Sequence, residues 1–140
     1  DWNEINIPVS FYGIQPQNQL KYYYSMGSVF CFPSLQEGLA MVQVQAMACG
    51  LPLICTFNSG GSDLIEDGVE GFIVPIRDSE AIKERILYLY HNPEICKRMG
   101  EAARRKVERG FTWDDYGDQV EKEYLQIVNR RTPTKSEERQ

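Results

Sequence analysis

Short apolar runs, bounded by glycine, proline or small polar residues, predict β-strands in the first half of the chain. Ile7, Val9 and Phe11 alternate with polar residues and end at Gly13, as in a short strand that closes on a turn. Three further runs are almost continuously apolar, which is typical of strands covered on both faces of a parallel sheet: residues 29–32, 53–56 and 71–75.

Between and after these runs the apolar positions follow a helical period. Gly50 and Pro52 end one helix, Asp78 or Ser79 can cap another, and Asn92-Pro93 separates two more. Thr112 is the predicted N-cap of the last helix. The predicted helices are residues 19–26, 41–49, 63–66, from 78 to Asn92, from Pro93 to about 109, and a last helix with one apolar face formed by Trp113, Tyr116, Val120, Tyr124 and Ile127.

Strands that alternate with helices predict an α/β fold with a parallel, doubly wound sheet and right-handed crossovers. In such sheets the ligand crevice lies outside the carboxyl ends of the strands. Gly13, Glu37 and Gly60-Gly61 each follow a predicted strand, so we expect all three loops at that edge. Residues 1–128 form one predicted domain, and residues 129–140 lack apolar anchors, which predicts a disordered tail.

Residues 32–52 carry the clearest chemical signal. A buried strand leads into a tight loop with one carboxylate, Glu37, and then into a helix of small residues that Gly50 and Pro52 close. This arrangement presents free backbone N–H groups to an anion and places an acid beside it. The pattern therefore predicts part of a nucleotide-sugar site.

The charge distribution limits the classes of partner. The chain has a net charge of −5, and residues 1–76 contain one basic residue, Lys21. The same segment holds seven acids: Asp1, Glu4, Glu37, Asp63, Glu66, Asp67 and Glu70. This argues against nucleic-acid binding, which needs clustered Lys and Arg. A phosphate must be held here by backbone amides or by cations from elsewhere.

Neither a membrane span nor a metal site is predicted. No apolar run approaches the roughly 18 residues that cross a bilayer. The four cysteines (Cys31, Cys49, Cys55 and Cys96) lack the spacing of a zinc site, and most lie inside apolar patterns, where a free thiol acts as a small hydrophobe. We therefore expect a reducing, cytoplasmic setting.

Taken in order, the motifs resemble the C-terminal donor-binding domain of retaining GT-B glycosyltransferases of the large group-1 (family 4) class. The likeness covers about residues 7–128. It rests on Gly13, the strand 29–32 with Pro33-Ser34, Glu37-Gly38, residues 46–52, Gly60-Gly61, residues 67–72, Met99-Gly100 and residues 111–113. It implies the C-terminal half of a GT-B fold, with a Rossmann-like parallel sheet.

The resemblance gives Glu37 a catalytic role. In the family, the first Glu of an E-x7-E motif hydrogen-bonds hydroxyls of the donor sugar near the reacting carbon, and a carboxylate can accept from two hydroxyls at once. The alternative is an exposed acid that only caps the following helix. The second Glu of the motif, which accepts from the ribose in relatives, is replaced here by Gln45. A neutral amide makes a weaker bond, by about 1 kcal/mol.

Other donor contacts are implied along the same loops. Gly38, Leu39, Ala40 and Met41 lie where backbone amides meet the distal phosphate, with Ala40 in place of a more usual glycine. Gly60-Gly61 either leaves room for the sugar or is a plain turn. Gly13 and Ile14 correspond to the loop that seats the nucleobase. Tyr22, Tyr23 and Tyr24 occupy consecutive helix positions and point in different directions, so we expect packing and surface roles for them.

The family's donor domain begins with about two further strand–helix units, which carry an Arg and a Lys for the diphosphate, and neither precedes Asp1. The N-terminal domain that binds the acceptor is missing as well. The chain is thus interpreted as a fragment of a longer enzyme. Without its neighbours, the strand at residues 7–11 either detaches, pairs with residues 29–32, or pairs with a second copy of the chain by self-association.

The sequence therefore predicts a fragment of a glycosyltransferase that retains anomeric configuration and uses a nucleoside diphosphate sugar, without a metal or other cofactor. We expect the fragment alone to be inactive. The expected location is the cytoplasm, either free or at the inner face of a membrane as part of the full-length protein. The alternatives are a non-catalytic GT-B-like binding or scaffold module, and a sugar-nucleotide epimerase with the same fold.

Overall fold

The computed structural model of the protein describes residues 8–131, and its centre is a three-stranded parallel sheet. The strands are β1 (Phe30–Phe32), β2 (Leu53–Thr56) and β3 (Gly71–Val74), in the spatial order β1-β2-β3. Phe30 pairs with Leu53, and Leu53 pairs with Gly71. The three continuously apolar runs are therefore the sheet strands, as predicted.

Between residues 8 and 131, six α-helices surround or follow the sheet. They are α1 (Leu20–Met26), α2 (Met41–Ala48), α3 (Gly61–Leu64), α4 (Ser79–His91), α5 (Pro93–Val107) and α6 (Trp113–Arg131). Helix α3 begins two residues before the predicted start at residue 63, because Gly60 in a left-handed conformation (φ 71°) turns the chain into the helix early. Helix α6 includes residues 129–131, beyond the predicted boundary at 128, and the rest of the predicted tail lies outside the described residues.

The core lies on both faces of the sheet, which is why β2 is buried along its whole length. Leu53 and Cys55 join one apolar cluster with α2 and α5, and Ile54 joins a second with α4 and α5. The first cluster is Val44, Met47, Leu53, Cys55, Leu64, Ile65, Ala103 and Val107. The second is Ile54, Phe72, Val74, Leu89 and Met99. Coverage on both faces explains the absence of polar alternation in these strands.

Residues 8–11 take no part in the sheet. The predicted strand is therefore wrong at these positions, while Ile7 lies outside the described residues. Gly13 (φ 63°) turns the chain toward α1, where the Tyr23 hydroxyl donates to Gln15 Oε1 at 2.9 Å. Alternating hydrophobicity cannot supply the neighbouring strand that a ladder needs. Within this chain residues 8–11 do not pair with β1, and pairing with a second copy stays a prediction.

Local capping signals, in contrast, worked as predicted. The Asp78 carboxylate accepts from the Ala81 amide at 2.9 Å and caps α4. Thr112 Oγ1 accepts from the Asp115 amide at 3.1 Å, and the Asp115 carboxylate accepts from the Thr112 amide at 2.9 Å. This reciprocal pair caps α6.

The last helix keeps much of its apolar face in solvent. Trp113, Tyr116 and Tyr124 are 80%, 62% and 66% exposed. The period of the sequence identified this face, but periodicity alone does not say what covers it. None of the helices between residues 8 and 131 has both the length and the apolar character that a membrane crossing requires.

Candidate functional site

Two loops meet at the carboxyl edge of the sheet. Residues 33–40 follow β1, and residues 57–60 follow β2. The Thr56 hydroxyl donates to the Ser34 carbonyl, and the Glu37 amide donates to the Asn58 carbonyl at 2.9 Å. The predicted convergence of these loops follows from the parallel strands that precede them.

Glu37 presents an exposed side chain on the first of these loops. Within residues 8–131 its carboxylate forms no hydrogen bond or ion pair. The N-cap of α2 is Ala40, and no side chain caps that helix. The capping alternative for Glu37 is therefore wrong, and its carboxylate is left available to a ligand.

The start of α2 presents unpaired amides. The Gln43 amide donates to the Ala40 carbonyl at 3.0 Å, whereas the amides of Leu39, Ala40 and Met41 have no acceptor in the described part of the chain. Leu39 and Met41 are about half exposed, at 48% and 50%. Unpaired amides at a helix start carry roughly half a positive charge, and they favour an anion.

Gly60 and Gly61 are both required by packing. A Cβ on Gly60 would lie 2.8 Å from the Gly38 carbonyl oxygen, and Gly60 also has a positive φ of 71°. A Cβ on Gly61 would lie 2.1 Å from Cys55 Sγ. Both glycines are therefore explained by close packing: Gly60 lies against the backbone of Gly38 in the other loop, and Gly61 lies against Cys55 of β2. Space for a sugar beside them remains a prediction.

Gln45 is linked to α1 through Tyr24. The Tyr24 hydroxyl donates to Gln45 Oε1 at 3.2 Å, and its ring packs edge-on against Phe30 with centroids 5.6 Å apart. Burial, with a smaller effect of Cys49, raises the pKa of Tyr24, so its hydroxyl stays protonated and able to donate. One lone pair of the predicted ribose acceptor is therefore already used within the protein.

Gly13 and Ile14 lie apart from the sheet, on the loop before α1. Ile14 is fully exposed at 102%, and the side-chain Nε2 of Gln15 donates to the Tyr12 carbonyl. The rings of Tyr12 and Tyr23 pack with centroids 4.9 Å apart, which attaches this loop to α1. The three consecutive tyrosines of α1 face different surroundings, as predicted. The loop thus contacts Tyr23 of α1, and Tyr24 of the same helix contacts Gln45.

Gln43 was missed by the sequence reasoning. It is fully buried at 0% exposure, and its Nε2 donates to the Ser59 carbonyl at 2.7 Å. Its Oε1 is buried without a hydrogen-bond partner among the described residues. The sequence did contain a signal for this burial. Gln43 lies three positions before Ala46 and four before Met47, so all three residues share one face of the helix.

Of two cavities in the described structure, one adjoins the carboxyl edge of the sheet and the other lies at the opposite end. A pocket of about 470 Å³ adjoins the start of α2, lined in part by Leu39, Met41 and Trp113, but Glu37 is not in its lining. A larger pocket of about 710 Å³ lies before the strands, against Val29, Pro52 and α5. The residues that begin α2 therefore adjoin a pocket, whereas Glu37 lies beside that pocket on an open surface.

Positive charge is scarce around these loops. Neither residues 33–40 nor residues 57–61 contain a Lys or Arg, and the Lys21 ammonium lies 5.1 Å from the centre of the Tyr22 ring. In the described chain, no three His, Cys, Asp or Glu side chains come together in a way that could hold a metal ion.

Comparison with known proteins identifies the family. The sequence profile described as glycosyl transferases group 1 matches residues 3–106. The chain belongs to this family. A putative glycosyltransferase, EpsD of Bacillus subtilis (strain 168), is 37% identical over 101 residues, which cover 72% of this chain and 26% of the relative. The chain spans between about an eighth and a quarter of the length of the curated relatives it matches.

Solved structures of glycosyltransferases share the fold. Sucrose-phosphate synthase from Thermosynechococcus elongatus superposes with a TM-score of 0.78 at 28% identity, over 86% of this chain and 30% of that one. Anabaena Alr3699/HepE in complex with UDP-glucose gives a TM-score of 0.68 at 20% identity, over 74% of this chain and 29% of that one. The predicted fold class, part of a parallel GT-B sheet, is confirmed.

Within this group-1 glycosyltransferase fold, most predicted site residues meet at one edge. Glu37, Gly38, Leu39, Ala40 and Gly60 lie on the two loops that the Glu37–Asn58 bond joins, and Met41 and Gly61 are the first residues of the helices that follow those loops. Gln45 lies in α2 and contacts α1, while Gly13 and Ile14 lie before α1. The ligand roles of all these residues remain predictions.

Proposed function

We propose that this chain forms the donor-binding part of a retaining glycosyltransferase that uses a nucleoside diphosphate sugar. The main support for this proposal is the Glu37 carboxylate, which has no partner among the described residues and lies in the same short loop as the unpaired amides that begin α2. A sugar diphosphate needs both an anion site and acceptors for sugar hydroxyls. The UDP-glucose complex of the structurally similar HepE supports this choice of ligand class.

The start of α2 would hold the distal phosphate. Amides of Leu39, Ala40 and Met41, together with the helix dipole, would stabilise the charge that develops on the leaving diphosphate. Because residues 33–40 and 57–61 carry no cation, Arg or Lys from another part of a longer protein would complete the neutralisation. The acceptor would bind to an N-terminal domain outside this chain. No metal is needed in this scheme.

Glu37 would orient the sugar beside the reacting carbon. Its carboxylate can accept from two sugar hydroxyls, and each hydrogen bond to a charged group contributes about 1.5–3 kcal/mol. We expect Glu37→Ala to lower sugar transfer by the longer protein roughly 100-fold or more. The measurement is the initial rate of transfer from the donor, and NMR of the product's anomeric centre tests retention.

A matched control is Glu84→Ala, which removes another exposed carboxylate, from α4 and away from both loops. It should leave the transfer rate unchanged. Thermal-shift measurements with UDP, GDP and ADP sugars on the intact protein would identify the donor. Transfer that persists after Glu37→Ala, or a product with inverted configuration, contradicts the proposal.

A second candidate is a non-catalytic binding or scaffold module. Two observations favour it: Gln45 Oε1 is already bonded to Tyr24, and the methyl group of Ala40 stands at the N-cap of α2. A module of this kind would bind the nucleotide without turnover. It would be indicated by donor binding in both the wild type and Glu37→Ala, with no transfer by either protein.

A further inference from the structure

The buried carboxamide of Gln43 joins the first turn of α2 to the loop that follows β2. Its Nε2 donates to the Ser59 carbonyl at 2.7 Å, and neither side chain has any exposed surface. Ser59 is itself held at the end of β2, because its hydroxyl donates to the Thr56 carbonyl at 2.7 Å. The bond therefore connects α2 to a segment with a defined position.

The neighbours of Ser59 hold the Glu37 loop. Asn58 accepts the Glu37 amide at 2.9 Å, and Gly60 lies so close to the Gly38 carbonyl that a Cβ would approach it to 2.8 Å. Asn58 and Gly60 thus contact the loop that carries Glu37, and Ser59, which lies between them, contacts Gln43. The position of Glu37 depends on where residues 58–60 sit.

The hydrogen-bonding capacity of Gln43 is only half satisfied. Its Oε1 is buried without a partner in the described chain, and an unsatisfied buried acceptor costs about 1–3 kcal/mol. An apolar side chain of similar length would remove that acceptor, but it would also take the Nε2 donor away from the buried Ser59 carbonyl. The feature that only the carboxamide supplies is the directional bond to Ser59.

We propose that Gln43 is a positioning residue for Glu37, acting through Ser59 and its two neighbours. The inference rests on the proposed function, in which the Glu37 carboxylate orients the donor sugar. Gln43 itself need not touch the donor. Its amide holds residues 58–60 in place, and those residues hold the backbone of Glu37 by one hydrogen bond and one close backbone contact.

The first test needs no enzymatic activity. Gln43→Met keeps the length of the side chain and removes the bond to Ser59. In the 140-residue chain, the Glu37 amide should exchange with solvent at least about tenfold faster in this variant, as measured by NMR. Leu89→Val is the control, since it weakens the core on α4 without touching either loop. Equal protection of the Glu37 amide in both variants, at matched global stability, overturns the proposal.

The second test measures catalysis in the longer protein that contains this chain. Gln43→Met should lower kcat roughly 10- to 100-fold, as expected for a small displacement of an orienting group. The Kd for UDP, which lacks the sugar, should change less than about threefold, because Glu37 acts on the sugar. A Kd for UDP that rises as much as kcat falls contradicts the positioning role.

Gln43→Glu adds a readout that a general loss of packing does not give. An ionised carboxylate would repel the Ser59 carbonyl, whereas the protonated acid can donate to it. Burial raises the pKa of the introduced carboxyl, so activity should recover as the pH falls toward about 5–6. The wild type and Gln43→Met should lack this recovery, and its absence in Gln43→Glu counts against the proposal.

The two levels of the hypothesis can fail separately. If the wild type neither binds nor transfers a sugar donor, the proposed function fails, whatever the exchange data show. If the wild type is active but Gln43→Met keeps full kcat or full protection of the Glu37 amide, the positioning role fails and the proposed function stands.

Discussion

Gln45 and Tyr24 show how one side chain changes what a site offers to a ligand. The Tyr24 hydroxyl occupies one lone pair of Gln45 Oε1. A carboxylate at this position would have a second oxygen for a ribose hydroxyl, whereas the carboxamide has only a second lone pair on the same oxygen. Donor affinity should therefore depend on this pair of residues.

We expect Gln45→Glu to lower the Kd for the donor nucleotide by up to about tenfold, since charge-assisted hydrogen bonds are stronger than neutral ones. Isothermal titration of the longer protein measures the effect. Tyr24→Phe in the wild-type background frees Gln45 Oε1 and serves as the companion variant. Weaker binding after Gln45→Glu would show that the ribose does not bind here.

Cys55 is a residue whose burial determines its chemistry. It is fully buried in β2, and this burial raises the pKa of its thiol from an ordinary value of 9.0 to about 11, while a hydrogen bond with Ser59 opposes the shift. Its sulfur also sets the closest approach of Gly61. The thiol is neutral at physiological pH, so its role is packing, as the sequence predicted for most of the cysteines.

This shift predicts a loss of stability in alkali. The unfolded thiol ionises above pH 9, whereas the folded one stays protonated up to about pH 11. The unfolded state therefore binds fewer protons in this window, and the free energy of unfolding falls as the pH rises through it. Urea unfolding between these limits measures the slope. Cys55→Ala should show a shallower slope, and equal slopes would contradict the assignment.

At the scale of elements, the crossing of α5 over the end of α2 depends on two glycines. Gly50 adopts a left-handed conformation (φ 79°) just after the helix, and a Cβ on Gly100 would lie 2.0 Å from its carbonyl oxygen. No rotation of α5 in place can relieve such an overlap with backbone. The contact therefore sets how closely the two helices pack on the sheet.

We expect Gly100→Ala to lower the free energy of unfolding by about 3 kcal/mol or more, because α5 must move away from Gly50. Gly117→Ala is the matched control, since Gly117 lies in α6 with nothing within 4 Å of a Cβ. That change should stabilise α6 by up to about 1 kcal/mol. Chemical denaturation followed by circular dichroism compares them, and equal effects would disprove the close contact.

On the scale of the whole molecule, the distribution of charge separates the candidate site from the basic residues. Residues 1–76 contain one base and seven acids, and the other fourteen basic residues lie beyond residue 76. Much of that basic charge lies on α5, where Lys106 pairs with the buried Glu70 at 3.3 Å and Arg104 pairs with Glu108 at 2.8 Å. Since residues 33–40 and 57–61 contain no Lys or Arg, the proposed diphosphate must find its counter-charge elsewhere.

We therefore expect no sugar transfer by the 140-residue chain alone, and transfer by a longer protein that contains it. Chelation with EDTA should leave the activity of the longer protein unchanged, because in the proposed function backbone amides and side-chain cations would take the place of a metal. Product formation from a UDP sugar, with and without EDTA, measures both. Turnover by the isolated chain, or inhibition by EDTA, would contradict this arrangement.

The elements with local signals were predictable, and those that depend on a neighbour were not. Asp78 and Thr112 cap their helices, and β2 spans the predicted residues, because caps and apolar runs act within a few residues of the chain. Residues 8–11 alternate like a strand but lie outside the sheet, since pairing needs a partner strand. Gln43 has an ordinary helical context, and only the fold buries it.

The sequence by itself was enough to establish the α/β class, the order of the three sheet strands and of the helices between and after them, and the placement of Glu37 and Gly60-Gly61 at the carboxyl edge. Parallel strands bring their following loops to one side whatever the details of packing. Contacts between distant segments required the folded molecule: Tyr24 with Gln45, Gln43 with Ser59, and Gly60 with Gly38. Such contacts depend on the distances at which packed elements approach, and no spacing along the chain encodes those distances.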